Sequence, residues 1–176
     1  MCTIVIGMKP RLPNSHEDGA RSGDWILLAF RLPREPSTPR IAVWRKLKRL
    51  GAAQLLDGLV ALPLDSRNRE QLEWIANDVT EAGGMATIWI GRLAAAAHER
   101  QLAARMRETV AAEYRTLIEE AEAVRLQVAG RRRRSLARLR RELRRIRLRD
   151  YFPPIERELA QQVVDELAAS FEEVAS

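Results

Sequence analysis

The stretch Ala53-Gln-Leu-Leu-Asp-Gly-Leu-Val-Ala-Leu62 decides the fold of the first half of the chain. Two short apolar runs flank Asp57-Gly58, and Pro63 follows the second run. Because glycine readily takes the positive φ angle that a two-residue turn requires, this pattern predicts a β-hairpin. Proline lacks the N–H group that a central strand needs in order to continue, so the second strand should end there.

A strand and a helix are predicted on either side of this hairpin. Upstream, the apolar run 25–30 predicts a buried strand, and a helix over 40–50 follows a proline-containing loop and ends at Gly51. Downstream, a helix that begins near Ser66 ends at Gly83-Gly84, and the apolar run 85–90 predicts a last strand. The order βαββαβ predicts an α+β, ferredoxin-like domain over residues 24–92, with residues 1–23 as a tail.

We expect both helices on one face of the sheet, and the other face covered by a partner or by the second half of the chain. On the first helix, Ile41, Trp44 and Leu47 predict the side that faces the core. The tryptophans lie in apolar strands or beside helix stripes, which favours core positions over base-stacking ones. They are Trp25, Trp44, Trp74 and Trp89.

The second half of the chain, residues 93–176, predicts a helical extension. Residues 94–129 contain neither proline nor glycine, and their apolar residues recur at steps of three and four. Gly130 predicts a break, after which a second helix to Arg149 would fold back as an antiparallel hairpin over residues 94–149. Asp150-Tyr-Phe-Pro-Pro154 predicts a sharp stop, and a last helix is predicted over 155–174.

Positive charge is concentrated on the second of these helices. Residues 131–149 contain eleven arginines and one acid, Glu142, whereas the whole chain carries only +6. Such a helix can meet a polyanion, or an acidic surface of the same protein such as the last helix. Guanidinium groups bind phosphates in a bidentate manner, so we predict contact with double-stranded DNA. The predicted nucleic-acid-binding residues are Arg131, Arg132, Arg133, Arg134, Arg138, Arg141, Arg145 and Arg149, with Arg40, Arg45, Lys46 and Arg49 on the first helix.

Motifs for catalysis and for metal or cofactor binding are missing from the sequence. It has no Gly-rich nucleotide loop, no HExxH and no nucleophile elbow, so we expect no enzymatic activity, no catalytic residue, no metal site and no cofactor. The only cysteine, Cys2, favours a reducing compartment, and the apolar run 2–8 is too short to cross a membrane. These features predict a cytoplasmic protein without membrane contact.

Two stretches carry a family resemblance. Arg40-Ile-Ala-Val-Trp-Arg-Lys-Leu-Lys-Arg-Leu-Gly-Ala52, followed by Asp57-Gly58-Leu59, and Arg149-Asp-Tyr-Phe-Pro153 after an arginine-rich helix together resemble the N-terminal domain of the bacterial chromate-resistance protein ChrB. The βαββαβ part is also similar to a domain of the phenylacetate-pathway repressor PaaX. The resemblance implies a cytoplasmic, chromate-responsive transcription regulator. Longer family members carry a C-terminal domain. This chain ends before such a domain, which implies a short or split version, and whether a separate partner supplies the domain stays open.

Two other functions stay open at this point. One is direct sensing of an oxyanion such as chromate, for which two or three converging arginines would suffice, although the sequence does not identify which ones converge. The other is a protein-interaction scaffold, in which the helical hairpin forms the seam of a homodimer. Salt-dependent duplex binding, stabilisation by an oxyanion and concentration-dependent mass would separate the three.

Overall fold

The structure, a computed structural model, describes residues 23–125 and 129–172; the side chains of residues 129–131, 171 and 172 fall outside it, as does the predicted tail before Gly23. Six elements alternate as strand, helix, strand, strand, helix, strand, and three helices follow. The prediction of an α+β protein is confirmed. The elements are β1 Trp25–Arg31, α1 Ser37–Leu50, β2 Ala53–Leu56, β3 Leu59–Pro63, α2 Ser66–Glu81, β4 Met85–Gly91, α3 Ala96–Arg125, α4 Ala129–Arg147 and α5 Glu156–Glu172.

The four strands form one antiparallel sheet in the order β2-β3-β1-β4. The predicted hairpin joins β2 to β3, and Gly58 has a φ of 77°. The Phe30 N–H group donates to the Gly58 carbonyl oxygen at 2.7 Å. A Cβ atom at position 58 would lie 2.2 Å from the Phe30 carbonyl oxygen, so both the backbone angle and the space require glycine.

One face of the sheet packs on α1 and α2. Alternate residues of the central strands, Ile26 and Leu28 of β1 and Val60 and Leu62 of β3, are completely buried in one core with residues of both helices. Burial of each such side chain contributes about 1.5–3 kcal/mol. The helix residues in this core are Val43, Leu47, Leu72, Ile75 and Val79.

The predicted inner side of α1 is partly wrong. Ile41 is 54% exposed, and the buried residues are Val43 and Leu47, one helical turn apart. Trp44 lies beside this stripe and is half-buried, with its ring 5.5 Å from that of Phe30. The prediction followed steps of three residues, which drift around a helix of 3.6 residues per turn. A step of four residues, as from Val43 to Leu47, stays closer to one line along the helix.

The prediction that all four tryptophans lie in the core is wrong for two of them. Trp25 is buried, but Trp74 is 66% exposed and Trp89 is 61% exposed. Trp74 lies on the outer side of α2, and Trp89 lies on β4, an edge strand. Leu102 and Met106 of α3 belong to the same core as the sheet and its two helices, so the second half of the chain packs on the sheet domain but leaves Trp89 exposed.

Helices α3, α4 and α5 enclose a second core. Each helix contributes buried residues spaced three or four apart. Ion pairs link Glu113 to Arg149 and Glu120 to Arg138, so α3 and α4 run in opposite directions. The core residues are Val110, Tyr114, Leu117, Ala121 and Val124 of α3, Leu136, Leu139, Leu143 and Ile146 of α4, and Ala160, Val164 and Leu167 of α5. The last predicted helical residues, 173 and 174, lie outside the described residues.

The segment Leu148–Phe152, which we call the clasp, fastens the helices to the sheet. The Tyr151 hydroxyl lies 2.8 Å from the Leu50 carbonyl oxygen and 3.0 Å from Oδ1 of Asn68. Burial raises the pKa of Tyr151 to about 12, so its hydroxyl keeps the proton that it donates. The Phe152 ring lies 6.0 Å from that of Trp25, and Arg67 donates to the Leu148 carbonyl oxygen at 3.0 Å.

Asn68→Ala is expected to lower the free energy of unfolding by about 1–2 kcal/mol, because it leaves buried polar groups unpaired. Asn68 is fully buried, and its Nδ2 donates to the Pro63 carbonyl oxygen and to Oδ2 of Asp65. The matched control is Asn77→Ala on the exposed side of the same helix. Urea denaturation of both variants measures the difference, and equal losses would show that Asn68 does not hold the clasp.

Candidate nucleic-acid interface

The rotation of α4 about its axis is fixed by a buried apolar seam. Leu136, Leu139, Leu143 and Ile146 follow one another at steps of three and four and are at most 8% exposed. Since these residues occupy one side of the helix, the rest of its circumference faces solvent. The exposed arginines of α4 are Arg133, Arg134, Arg138, Arg140, Arg141, Arg144, Arg145 and Arg147.

Two of these arginines have a carboxylate partner at the surface. Nη1 of Arg138 lies 2.9 Å from Oε2 of Glu120 on α3, and Nη1 of Arg145 lies 2.9 Å from Oε2 of Glu142 on α4 itself. Exposed pairs of this kind contribute at most about 1 kcal/mol. Phosphate groups can therefore replace these carboxylates at little cost.

The remaining exposed arginines carry uncompensated charge. Among the residues that the structure describes, none of them has a carboxylate within ion-pair distance. They are Arg133, Arg134, Arg140, Arg141, Arg144 and Arg147, and we call them the basic face of α4. Helical rise places the first and last of them roughly 21 Å apart.

The other predicted arginines of this segment are placed differently. Arg149 lies in the clasp, its side chain is only 13% exposed, and its Nε donates to Oε2 of Glu113 at 3.0 Å. Arg132 is half-buried and has an interaction partner, and the Arg131 side chain lies outside the described residues. We leave these three residues out of the candidate interface.

The acidic helix α5 directs two of its carboxylates to α3. Oε1 of Glu156 lies 2.7 Å from Nη1 of Arg115, and Oε2 of Glu166 lies 2.6 Å from Nη2 of Arg125. The pKa of Glu156 is lowered by a hydrogen bond from its own backbone N–H group and by Arg115. The pKa of Glu166 is lowered by Gln162 and by Arg125. These two acids are therefore engaged away from the basic face of α4.

The predicted basic patch on α1 divides into structural and free cations. Arg40 donates to the carbonyl oxygens of Pro33 at 2.9 Å and Leu32 at 3.4 Å, and Lys46 is paired with Asp78. Arg45 and Arg49 are exposed and have no carboxylate partner among the described residues. Arg49 also lines a small groove between α1 and α2 beside the exposed Trp74.

The carboxyl ends of α1 and α4 meet at the clasp. Gly51, which ends α1 with a φ of 72°, lies so close to Arg149 that an added Cβ would be 2.8 Å from the Arg149 Cβ atom. Arg49 and Arg147 each lie two residues before this contact. The free cations of α1 and α4 therefore lie on helices whose carboxyl ends converge on one region of the molecule.

Several residues of this surface were missed at the level of sequence. Arg140, Arg144 and Arg147 were left out because the prediction followed one stripe opposite the seam, whereas every α4 position off the seam could have been included. Trp74 was assigned to the core. It follows the buried Leu72 by two residues, which turns it to the other side of the helix.

Two further features hold for residues 23–125 and 129–172. No group of three or more His, Cys, Asp or Glu side chains in these ranges is arranged to hold a metal ion. None of the helices in these ranges is long and apolar enough to cross a membrane.

Comparison with known proteins identifies the family. A family model described as "Protein ChrB, N-terminal" matches residues 40–134, more than half of the chain, from α1 to the first turns of α4. Protein ChrB of Cupriavidus metallidurans is 33% identical over 108 residues, which are 61% of this chain and 28% of that protein. The matched region thus spans little more than a quarter of the relative's length. The resemblance drawn from the sequence is confirmed: the chain belongs to the ChrB family and carries its N-terminal domain.

Proposed function

We propose that this protein is a chromate-resistance regulatory protein that contacts double-stranded DNA through the basic face of α4. Its membership of the ChrB family supports a role in chromate resistance. The observation that carries DNA contact is the set of exposed α4 arginines without carboxylate partners in the described structure. B-DNA presents one phosphate per ~1.7 Å of its axis, so a roughly 21 Å row of guanidinium groups is matched to several phosphates.

The sheet domain would add further contacts to DNA beside those of α4. The element order βαββαβ and the sheet order β2-β3-β1-β4 favour the ferredoxin-like assignment, and the opposite directions of α3 and α4 favour the helical hairpin. Arg45 and Arg49 of α1 and Trp74 of α2 are exposed on the two helices that cover the sheet, and Arg49 and Trp74 line one groove. Arginines supply phosphate contacts, and an exposed indole ring supplies an apolar surface next to them.

Fluorescence anisotropy with labelled duplexes tests the proposal. We expect affinity to fall steeply with salt, with a slope of log affinity against log salt of about −0.9 per phosphate contact. Tighter binding to the promoter upstream of the gene than to scrambled DNA, with release by chromate, would extend the proposal to a chromate-responsive regulator. An affinity that does not respond to salt would contradict contact through α4. Sedimentation of the same samples measures the mass of the protein, which tests whether it forms the predicted homodimer.

A further inference from the structure

An open cleft lined by three arginines lies at the opposite end of β1 from the clasp. It has a volume of about 500 Å³ and lies where β1 ends and β4 begins. No acidic side chain lines it among the described residues. Its lining includes Arg31, Arg34, Arg40, Gly84 and Met85.

The fold brings three arginines to the lining of this cleft from different elements. Arg31 is the last residue of β1, Arg34 belongs to the loop that follows, and Arg40 lies in the first turns of α1. The hydrogen bonds from Nη2 of Arg40 to the carbonyl oxygens of Leu32 and Pro33 fix this side chain against the loop. A guanidinium group has five N–H donors, so Arg40 keeps donors for a ligand.

The shape of the cleft also depends on a glycine. A Cβ atom at Gly84 would lie 2.5 Å from the Arg31 carbonyl oxygen. Only glycine therefore lets the turn before β4 approach the end of β1 this closely. The close approach keeps Arg31 and Gly84 on the same wall and defines the shape of the cleft.

The amino end of α1 adds to the positive potential at this place. The helix begins at Ser37 without a side-chain cap and without an acid in its first turn. The partial positive charge of its first N–H groups therefore lacks a carboxylate within the helix. Glu35 and Arg34 line a neighbouring shallow hollow, and the described structure contains no ion pair between them.

We propose that this cleft binds a tetrahedral oxyanion, either a free dianion or a phosphate group of a nucleic acid. Three cations that share a carboxylate-free lining repel one another, and a dianion relieves that repulsion while accepting several N–H donors. Binding of an anion stands on this geometry alone. A role of the cleft as the effector site of a chromate-responsive regulator rests, in addition, on the proposed function.

The cavity between α3 and β2 is less suited to an oxyanion. It has a volume of about 460 Å³ and includes Arg105 and Arg149, but also the carboxylates of Glu108 and Glu113. Arg149 is paired with Glu113, and Arg105 donates to the Gln54 carbonyl oxygen at 3.3 Å. Arg105 and Arg149 are already engaged, which leaves Lys48 as the cation of this lining without a carboxylate partner among the described residues, and the two acids would repel an anion.

Thermal unfolding in sodium sulfate, sodium chromate or sodium chloride of equal ionic strength tests the proposal without DNA. At a tenfold excess over Kd, a bound oxyanion should raise the Tm by about 3–6 °C above the chloride value. The double variant Arg31→Gln, Arg34→Gln should lose this shift. Arg40 is left unchanged because it also supports the loop.

The matched control is Arg141→Gln, Arg144→Gln, which removes two exposed arginines from α4 and should keep the shift. A second arm measures duplex affinity of the cleft variant in chloride. Loss of the oxyanion shift in the cleft variant alone identifies a free dianion as ligand. Absence of that shift in the unchanged protein, with duplex affinity weakened at least fivefold in the cleft variant, identifies a nucleic-acid phosphate. If neither effect is found, or if both variants lose the oxyanion shift equally, the proposal is overturned, whatever the fate of DNA contact through α4.

Discussion

Replacement of Arg133, Arg134, Arg141 and Arg144 together by glutamine is expected to lower duplex affinity by about 100-fold or more at about 50 mM salt. Each lost phosphate contact removes the counterion release that drives binding, and it flattens the salt slope by about 0.9. The four side chains are exposed, and glutamine is nearly as good a helix former as arginine, so the fold should persist. Anisotropy across a salt series measures both the affinity and the slope.

A charge-matched pair of variants separates a local interface from a general effect of net charge. Arg141→Gln, Arg144→Gln removes two cations from the basic face of α4, and Arg100→Gln, Arg107→Gln removes two exposed cations from α3. Within the described structure, neither pair has a carboxylate partner. We expect the α4 pair to flatten the salt slope by about 1.8 and the α3 pair to leave it nearly unchanged. Equal effects would assign binding to net charge and remove α4 from the interface.

The largest loss of stability is expected for Asp150→Ala in the clasp. The Asp150 side chain is fully buried, and its Oδ2 accepts a hydrogen bond from the Tyr114 hydroxyl at 2.9 Å and lies 3.5 Å from Nη1 of Arg157. Alanine would leave a buried hydroxyl and a mostly buried guanidinium without their acceptor. Discounted for the 32% exposure of Arg157, the loss should be about 2–4 kcal/mol, measured by urea denaturation.

Two milder substitutions identify what Asp150 contributes. Tyr114→Phe removes only the hydroxyl donor and should cost about 1 kcal/mol, whereas Asp150→Asn keeps an acceptor for Tyr114 but loses the charge opposite Arg157. The double variant Tyr114→Phe, Asp150→Ala should then cost less than the sum of its parts, because the two residues interact. Additive losses, or an Asp150→Ala variant within about 0.5 kcal/mol of the unchanged protein, would contradict the contact.

Local patterns predicted the elements of the fold, but not the contacts that join its two halves. The hairpin at Gly58 and the seam of α4 depend on neighbours within a few residues, so they could be read from spacing. The contacts of the clasp could not be read from spacing. Asp150-Tyr-Phe-Pro predicted only a helix stop, whereas Tyr114, which donates to Asp150, and Leu50, which accepts from Tyr151, lie 36 and 101 residues away in sequence. No local sequence pattern distinguishes a segment that only ends a helix from one that also joins the two halves of the chain.

The position of the candidate interface could be predicted from the sequence, but its free residues could not. The surplus of arginine on one helix indicated its position, because charge and helical spacing are local properties. Which arginines are free depended on distant carboxylates, such as Glu113 for Arg149 and Asp78 for Lys46. The three-arginine cleft could not be predicted from the sequence for a related reason, since it depends on the strand register that brings Arg31 opposite Met85.

Because the clasp lies at one end of α4, a small rotation there would move the other end of this helix by a larger distance. The clasp follows the carboxyl end of α4. Helical rise puts Arg134, near the amino end of this helix, roughly 22 Å from Arg149 in the clasp. A pivot of only about 5° of the helical part about the clasp would carry Arg134 through roughly 2 Å, far enough to break a hydrogen bond to a phosphate. Small adjustments where the helices meet the sheet domain would thus be amplified into a change of register on a rigid polyanion.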